Sequence, residues 1–237
     1  MRLTLLIKKT IIYKIYLFFR YRTYRKHQAE LARTLKAEGS NLLIQFSCAL
    51  NEVGIPFWLD YGTLLGYQRE HDFIKHDNDL DTGAFVEDAE KIKDALTKSG
   101  FKLVRHYHTI DNEYVEHCYC HVDSNITIDV FLYRRKGDTL YGTCFSPKDE
   151  PFDSKNHLFE DVPFKTVLVQ TPFTGLNKTT FKGADVYVPT NIDAYLKANY
   201  GENYMVPDPG FSFRNAPNIK ILTYEEKPAV GYLELPY

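Results

Sequence analysis

The sequence has no apolar run long enough to cross a membrane. Near its start, Leu3–Ile7, Thr10–Tyr13 and Ile15–Phe19 are interrupted by Lys8, Lys9 and Lys14, and a spanning helix needs roughly 20 consecutive apolar residues. No small-residue cleavage site follows, so a secretory signal is not expected. Cysteine is scarce: Cys48, Cys118, Cys120 and Cys144 are too few and too irregular for a disulfide framework, and a reducing compartment is the simplest setting. The chain has no internal repeat, low-complexity tract or Gly/Ser linker, which excludes solenoids and strings of tethered modules. It also has no Gly-x-Ser-x-Gly elbow and no Walker loop, which sets aside the enzyme classes built on them.

What is there is globular. Apolar residues make up 44% and charged residues 25% of 237, enough to bury a core without staples. Aromatics are abundant, 18 Tyr and 16 Phe against one Trp, which favours strands and half-buried surfaces. The net charge of −2 hides an asymmetry: residues 1–40 hold ten Lys/Arg against Glu30 and Glu38, a balance of +8 that leaves the remainder at −10. A basic head on an acidic body points to an anionic partner for the head and away from nucleic acid as a partner of the whole. We divide the chain into a basic segment, 1–26, and one domain, 27–237. The charges of the head fall on several sides of a helix, so it reads either as a solvated basic helix or as a peripheral contact with anionic lipid.

Leu31, Leu35, Leu42, Phe46, Leu50 and Val53 form one stripe of a long helix, with Gly39 a weak point and Gly54 the stop. The pattern then predicts a strand over Ile55–Asp60, a turn at Tyr61–Gly66 opening a second helix, and a strand over 76–84. A helix over Val86–Ser99, a strand over Phe101–His106 and a hairpin around Asp123-Ser-Asn125 follow. From Gly137 to Pro189 come short strands and loops, then a helix from Thr190 to Gly201. This is an α/β or α+β order with a mixed sheet and flanking helices.

The densest chemistry lies in Lys75-His-Asp-Asn-Asp-Leu-Asp81. On a strand, Asp77, Asp79 and Asp81 would share a face, where three carboxylates repel unless a cation sits among them; such oxygen donors suit Mg²⁺ or Mn²⁺. A solvated acidic loop is the plain alternative. Upstream, Tyr61-Gly-Thr-Leu-Leu-Gly66 places Gly62 and Thr63 at a helix start, which suits phosphate binding, and Arg69 adds a bidentate cation. Downstream, Asp129 interrupts the β-branched and aromatic run Ile126–Phe131, costly to bury unless paired. Phosphate loop, Asp-x-Asp and a third Asp on a later strand form the order of a two-metal phosphoryl-transfer site.

Phe57-Trp-Leu-Asp-Tyr-Gly-Thr-Leu-Leu-Gly66, Arg69, Phe73-Ile74, Asp77–Asp81 and Ile128-Asp-Val-Phe131, with Val188-Pro189, Tyr195-Leu196, Tyr200-Gly201 and Tyr204-Met205 behind them, resemble the LicD/fukutin family over about residues 55–210. Lys75-His76 and Asn78 depart from that family's usual Pro-Trp and Asp. The resemblance implies a nucleotidyltransferase (DNA polymerase β-like) fold and a phosphocholine or polyol-phosphate transferase. Its donor would be CDP-choline, CDP-ribitol or a similar CDP-linked compound, its acceptor a glycan or lipid-linked saccharide, and its by-product CMP. It further implies that Asp79, Asp81 and Asp129 are catalytic and hold Mg²⁺ or Mn²⁺ with help from Asp77. Gly62, Thr63 and Arg69 would hold the diphosphate, and the setting would be cytoplasmic, peripheral on the inner face of a bacterial membrane. The alternatives are a nucleotidyltransferase that releases pyrophosphate and an inactive scaffold of the same fold.

Tyr61 and Trp58 are candidates to stack on a base or cage a choline ammonium, with core packing the other reading of Trp58. In His117-Cys-Tyr-Cys-His121 strand alternation sends the histidines and cysteines to opposite faces, so one zinc ion cannot easily collect all four.

Overall fold

In the computed structural model, which describes residues 11–148 and 157–234 with side chains from Arg22 onward, the long helix α1 spans Ile11–Glu52. Leu31, Leu35, Leu42, Phe46 and Leu50 are buried along it, as the stripe requires, whereas Val53 is exposed because the helix has already ended. Gly39 is no weak point. It is buried, and a Cβ there would come within 3.0 Å of the Phe73 ring, so close packing offsets the ~1 kcal/mol of helix propensity that glycine forgoes. The division at residue 26 falls inside α1, and residues 1–10 of the basic segment lie outside the described residues. Among those described, no helix is long and apolar enough to cross a membrane.

After α1 come β1 (Phe57–Leu59), α2 (Tyr61–Arg69), β2 (Leu80–Phe85), α3 (Ala89–Lys98), β3 (Phe101–Thr109), β4 (Val115–His121), β5 (Thr127–Lys136) and β6 (Thr139–Pro147). Then follow β7 (Asp161–Pro172), β8 (Leu176–Phe181), β9 (Ala184–Pro189), α4 (Ile192–Tyr200), β10 (Ile219–Ile221) and β11 (Pro228–Leu233). The strands make one mixed sheet in the order β10-β7-β11-β3-β4-β5-β2-β1-β9-β8, with β6 pairing both β5 and β7. That double pairing closes β5, β6, β7, β11, β3 and β4 into a ring. β1 runs parallel to β9 and β2 parallel to β5, and the antiparallel β4–β5 hairpin lies where the sequence placed it. The architecture is mixed α/β, a large sheet flanked by helices.

The principal core lies where α1 covers the β1–β2–β9 part of the sheet. Phe46 meets Phe57 edge-on at 5.1 Å and Phe101 at 5.9 Å, and all three are almost wholly buried. Each such side chain contributes about 1.5–3 kcal/mol by leaving water. This packing fixes the end of β1, from which the candidate site is built.

Candidate active site

β1 ends at Leu59 and delivers Asp60, whose carboxylate is wholly buried. Asp60 caps α2 by accepting the Tyr61 N–H at 2.8 Å, and it accepts the hydroxyls of Tyr133 at 2.8 Å and Tyr195 at 2.9 Å. Burial pushes its carboxyl up to about 6, against the pull of those bonds. The cap holds Tyr61 at φ 32°, a left-handed conformation that costs a non-glycine residue of order 1 kcal/mol and persists only where its surroundings over-determine it.

From this anchored turn the next residues seize Asp81. The Gly62 amide donates to Asp81 Oδ2 at 2.9 Å, and the Asp81 amide donates to Thr63 Oγ1 at 2.8 Å. The Asp60 amide closes on the Asp81 carbonyl at 3.1 Å. Three hydrogen bonds thus stitch the start of α2 to β2 around one carboxylate. Asp129 stands directly beside Asp81 in the parallel β2–β5 register.

Asp77 and Asp79 are not on the strand as expected. β2 begins only at Leu80, so alternation is not what gathers these acids. They lie on the loop from α2, where the Asp77 amide turns back onto the Ile74 carbonyl at 3.0 Å. The loop brings Asp77 Oδ2 within 2.8 Å of where a Cβ on residue 62 would sit. The carboxylates still converge, and their acidities record it. Burial raises Asp77 to about 6 and Asp79 to about 7, the charges of Asp129 and Asp77 adding to the effect on Asp79. Asp81 is driven well above the carboxylate range by burial and then by Asp79, Asp129 and Asp77. Asp129 Oδ1 is buried without a hydrogen-bond partner among the described residues, although an Arg105 nitrogen lies 3.6 Å away.

These acids meet the end of a cavity of about 1080 Å³. Of the residues singled out in the sequence, Tyr61, Gly62, Arg69, Asp77 and Asp81 line it; Asp79 and Asp129 adjoin Asp81 without forming its wall. Arg69 is on the wall with its guanidinium bound to Glu70, Nη2 to Oε1 at 2.7 Å. Thr63 is 3% exposed, and its oxygen already serves the Asp81 amide, so it positions that carboxylate and does not face a phosphate. Trp58 is likewise corrected to a core residue. It has no exposed surface, donates from Nε1 to the Tyr195 hydroxyl at 3.2 Å, and packs against Phe85, Tyr133 and Phe173 at 5.2, 5.6 and 5.5 Å.

Two parts of the wall were not singled out. One is Glu116 on β4, buried and driven well above the carboxylate range, by burial first and then by Asp129; an acid within the Val115–His121 strand is the same anomaly that flagged Asp129. The other is the segment after α4, with Tyr204, Val206, Phe211 and Phe213 on the wall. From the 137–190 region, Cys144 and Phe145 contribute to the same wall. Across the sheet, Cys118 lies under Arg105 and His117 beside the Tyr119 hydroxyl, on opposite faces.

Hard carboxylate oxygens gathered in one place, including one with no hydrogen-bond partner among the described residues, are the donor chemistry that a small divalent cation takes. As the side chains stand, no group of three or more His, Cys, Asp or Glu among the described residues is placed to hold a metal ion.

Residues 54–191 match the family model described as LicD/FKTN/FKRP, nucleotidyltransferase domain, which is more than half of the chain and includes every carboxylate above. The chain belongs to the LicD/FKTN/FKRP family. Among curated relatives, this LicD-family chain is 26% identical over 188 residues to the ribitol-5-phosphate transferases FKTN of Macaca fascicularis and Homo sapiens. It is 25% identical to that of Mus musculus. These matches cover 78% of this chain and 37% of each relative, so the aligned part spans little more than a third of their length. The family-model match stops at residue 191, before the Tyr204–Phe213 segment; what the structure adds is that this segment lines the cavity.

Proposed function

We propose that this LicD-family chain is a metal-dependent phosphotransferase on a nucleotidyltransferase (DNA polymerase β-like) fold. It moves a polyol-phosphate, or a phosphocholine, from a CDP-activated donor to a hydroxyl of a glycan or lipid-linked saccharide and releases CMP. The observation that carries this reading is Asp81, pinned by Gly62 and Thr63 at the mouth of α2, with Asp77, Asp79 and Asp129 gathered around it at the end of a cavity. The relatives named for ribitol-5-phosphate favour a polyol-phosphate over phosphocholine.

Mg²⁺ or Mn²⁺, held by Asp79, Asp81 and Asp129 with Asp77 assisting, would neutralise charge on the transferring phosphoryl group and on the leaving CMP. Gly62 lets the Asp77 and Asp81 carboxylates approach the backbone at the start of α2, so that a cation they hold would face the donor's diphosphate beside that turn. Arg69 exchanges Glu70 for that diphosphate, a bidentate pairing that its fork geometry favours. Asp129, beside Asp81 and behind the cavity wall, takes the proton of the acceptor hydroxyl once substrate binding uncovers its carboxylate, whose Oδ1 faces Arg105 at 3.6 Å. The acceptor oxygen bonds to the distal phosphorus as the bond from that phosphorus to the CMP oxygen breaks, and the pair departs with CMP.

The test is a donor screen. Purified protein is incubated with Mg²⁺ or Mn²⁺ and a panel of CDP-linked compounds, and CMP is measured with and without candidate acceptors. CMP from one donor, abolished by EDTA and by Asp81→Ala in a protein whose thermal midpoint is retained, is the expected result. Pyrophosphate from a nucleoside triphosphate with no CMP from any donor would replace this reading with nucleotide transfer.

A further inference from the structure

Glu116 has no part in the chemistry above, yet it is the most buried acid on the cavity wall, 8% exposed. It stands opposite Phe131 in the β4–β5 register, two pairs along from Cys118 and Asp129. Opposed residues on paired strands share a face, so Glu116, Phe131 and Asp129 lie on one side. The Phe145 amide donates to its carboxylate, but Oε2 has no hydrogen-bond partner among the described residues. Buried polar atoms in folded proteins are nearly always paired, and an exception calls for an explanation.

The sheet order supplies one. Across β4-β5-β2-β1, Glu116 lies on the far side of Asp129 and Asp81 from Gly62 and Arg69, which follow β1. With the diphosphate at Gly62 and Arg69, the part of the donor beyond the transferred phosphorus extends toward Glu116. The wall there is aromatic, with Tyr61, Phe131 and Phe145, and Oε2 lies buried at it without a hydrogen-bond partner among the described residues. Positive charge is already nearby, since Arg105 acts on the same carboxyl group; what Oε2 lacks is a hydrogen-bonding group. A hydroxyl provides that, and a quaternary ammonium cannot.

We infer that Glu116 forms a hydrogen bond with a hydroxyl of the transferred group, and so selects a polyol over a head group without hydroxyls, such as choline. The inference rests on the proposed donor chemistry. It also makes Glu116 a specificity residue whose unpaired burial lowers the stability of the empty protein.

The experiment measures binding, so it needs no acceptor. Affinities for CDP, CDP-ribitol and CDP-choline are determined by calorimetry in the presence of Mn²⁺, for the wild type and for Glu116→Gln. The expected result is tighter binding of CDP-ribitol than of CDP by the wild type. Glu116→Gln should remove about tenfold of that advantage, leaving CDP and CDP-choline within about twofold of wild type. Its thermal midpoint should be unchanged or raised, an outcome a purely structural Glu116 would not give. If Glu116→Gln does not fold, Glu116→Asp, which withdraws the carboxylate by one methylene, takes its place with the same expectation. A ribitol advantage that survives the substitution, or none in the wild type, overturns the role of Glu116 alone. Failure of every CDP compound to bind the wild type overturns the donor chemistry beneath it.

Discussion

A Cβ on residue 62 would stand 2.8 Å from Asp77 Oδ2 and 3.1 Å from Asp81 Oδ2, closer than carbon and carboxylate oxygen rest. Gly62 has no positive φ, so alanine is compatible with its backbone and the clash is confined to the two carboxylates. Gly62→Ala should therefore lower CMP release about 100-fold by displacing Asp81, a misplacement of an ångström or less, while the thermal midpoint moves by no more than about 4 °C. A large fall in midpoint would show that the glycine serves folding instead. The same neighbourhood shows what can be read at this scale. That Asp81, Gly62 and Arg69 would meet at one place with Asp129 beside them was legible, because residue type and order alone suggest it. Thr63 and Trp58 were not, because a hydroxyl or an indole beside a turn looks the same in sequence whether it faces ligand or core. That distinction is made by Tyr195 and Phe173, more than a hundred residues away, which enclose Trp58.

The junction of β1 and β2 shows how one element constrains its neighbour. Trp58 pairs with Gly83, and a Cβ on residue 83 would come within 2.2 Å of the indole ring. Gly83→Ala should cost about 2–3 kcal/mol through overpacking and lower the thermal midpoint by about 5–10 °C; a midpoint within 2 °C of wild type would mean the indole has room to move. On β4, burial, with His106 and Lys93 adding, lowers His117 to about 4. Below its unfolded value near 6.5 the unfolded chain binds the proton that the folded chain refuses, so this stability is present above pH 6.5 and lost as pH falls toward 4. His117→Gln should remove about 2–3 kcal/mol of acid-induced destabilisation across that window, seen as a flatter curve of midpoint against pH; a slope equal to wild type would refute it. The helices and the β4–β5 hairpin were legible because hydrophobic spacing and turn residues are local signals. The start of β2 was not: Lys75–Asp79 alternates polar and charged residues as an exposed strand would, and only the tie of Asp77 to Ile74 makes it a loop. The ring of β3–β7 and β11 was invisible for a related reason, since β11 pairs with strands far back in sequence.

Over the whole molecule, charge and core are separated along α1. Among the described side chains packing begins at Leu31, and those from Arg22 to Lys26 are exposed, so that basic stretch of the helix is not held by the core that forms the site. We propose that this end makes peripheral contact with anionic lipid and brings the cavity to a membrane-borne acceptor. Each Lys or Arg near such a surface contributes about 1 kcal/mol, and the attraction is screened as the Debye length falls from about 10 Å at 0.1 M salt to 3 Å at 1 M. The full chain should therefore co-sediment with vesicles containing anionic phospholipid at 0.1 M salt, but neither with zwitterionic vesicles nor at 1 M salt. Removing residues 1–26 should abolish binding and leave the thermal midpoint within about 4 °C of wild type, because the described side chains of that segment, Arg22 to Lys26, are exposed. Binding that survives the truncation, or that is indifferent to salt, would place the contact elsewhere on the acidic body and end the case for the basic helix.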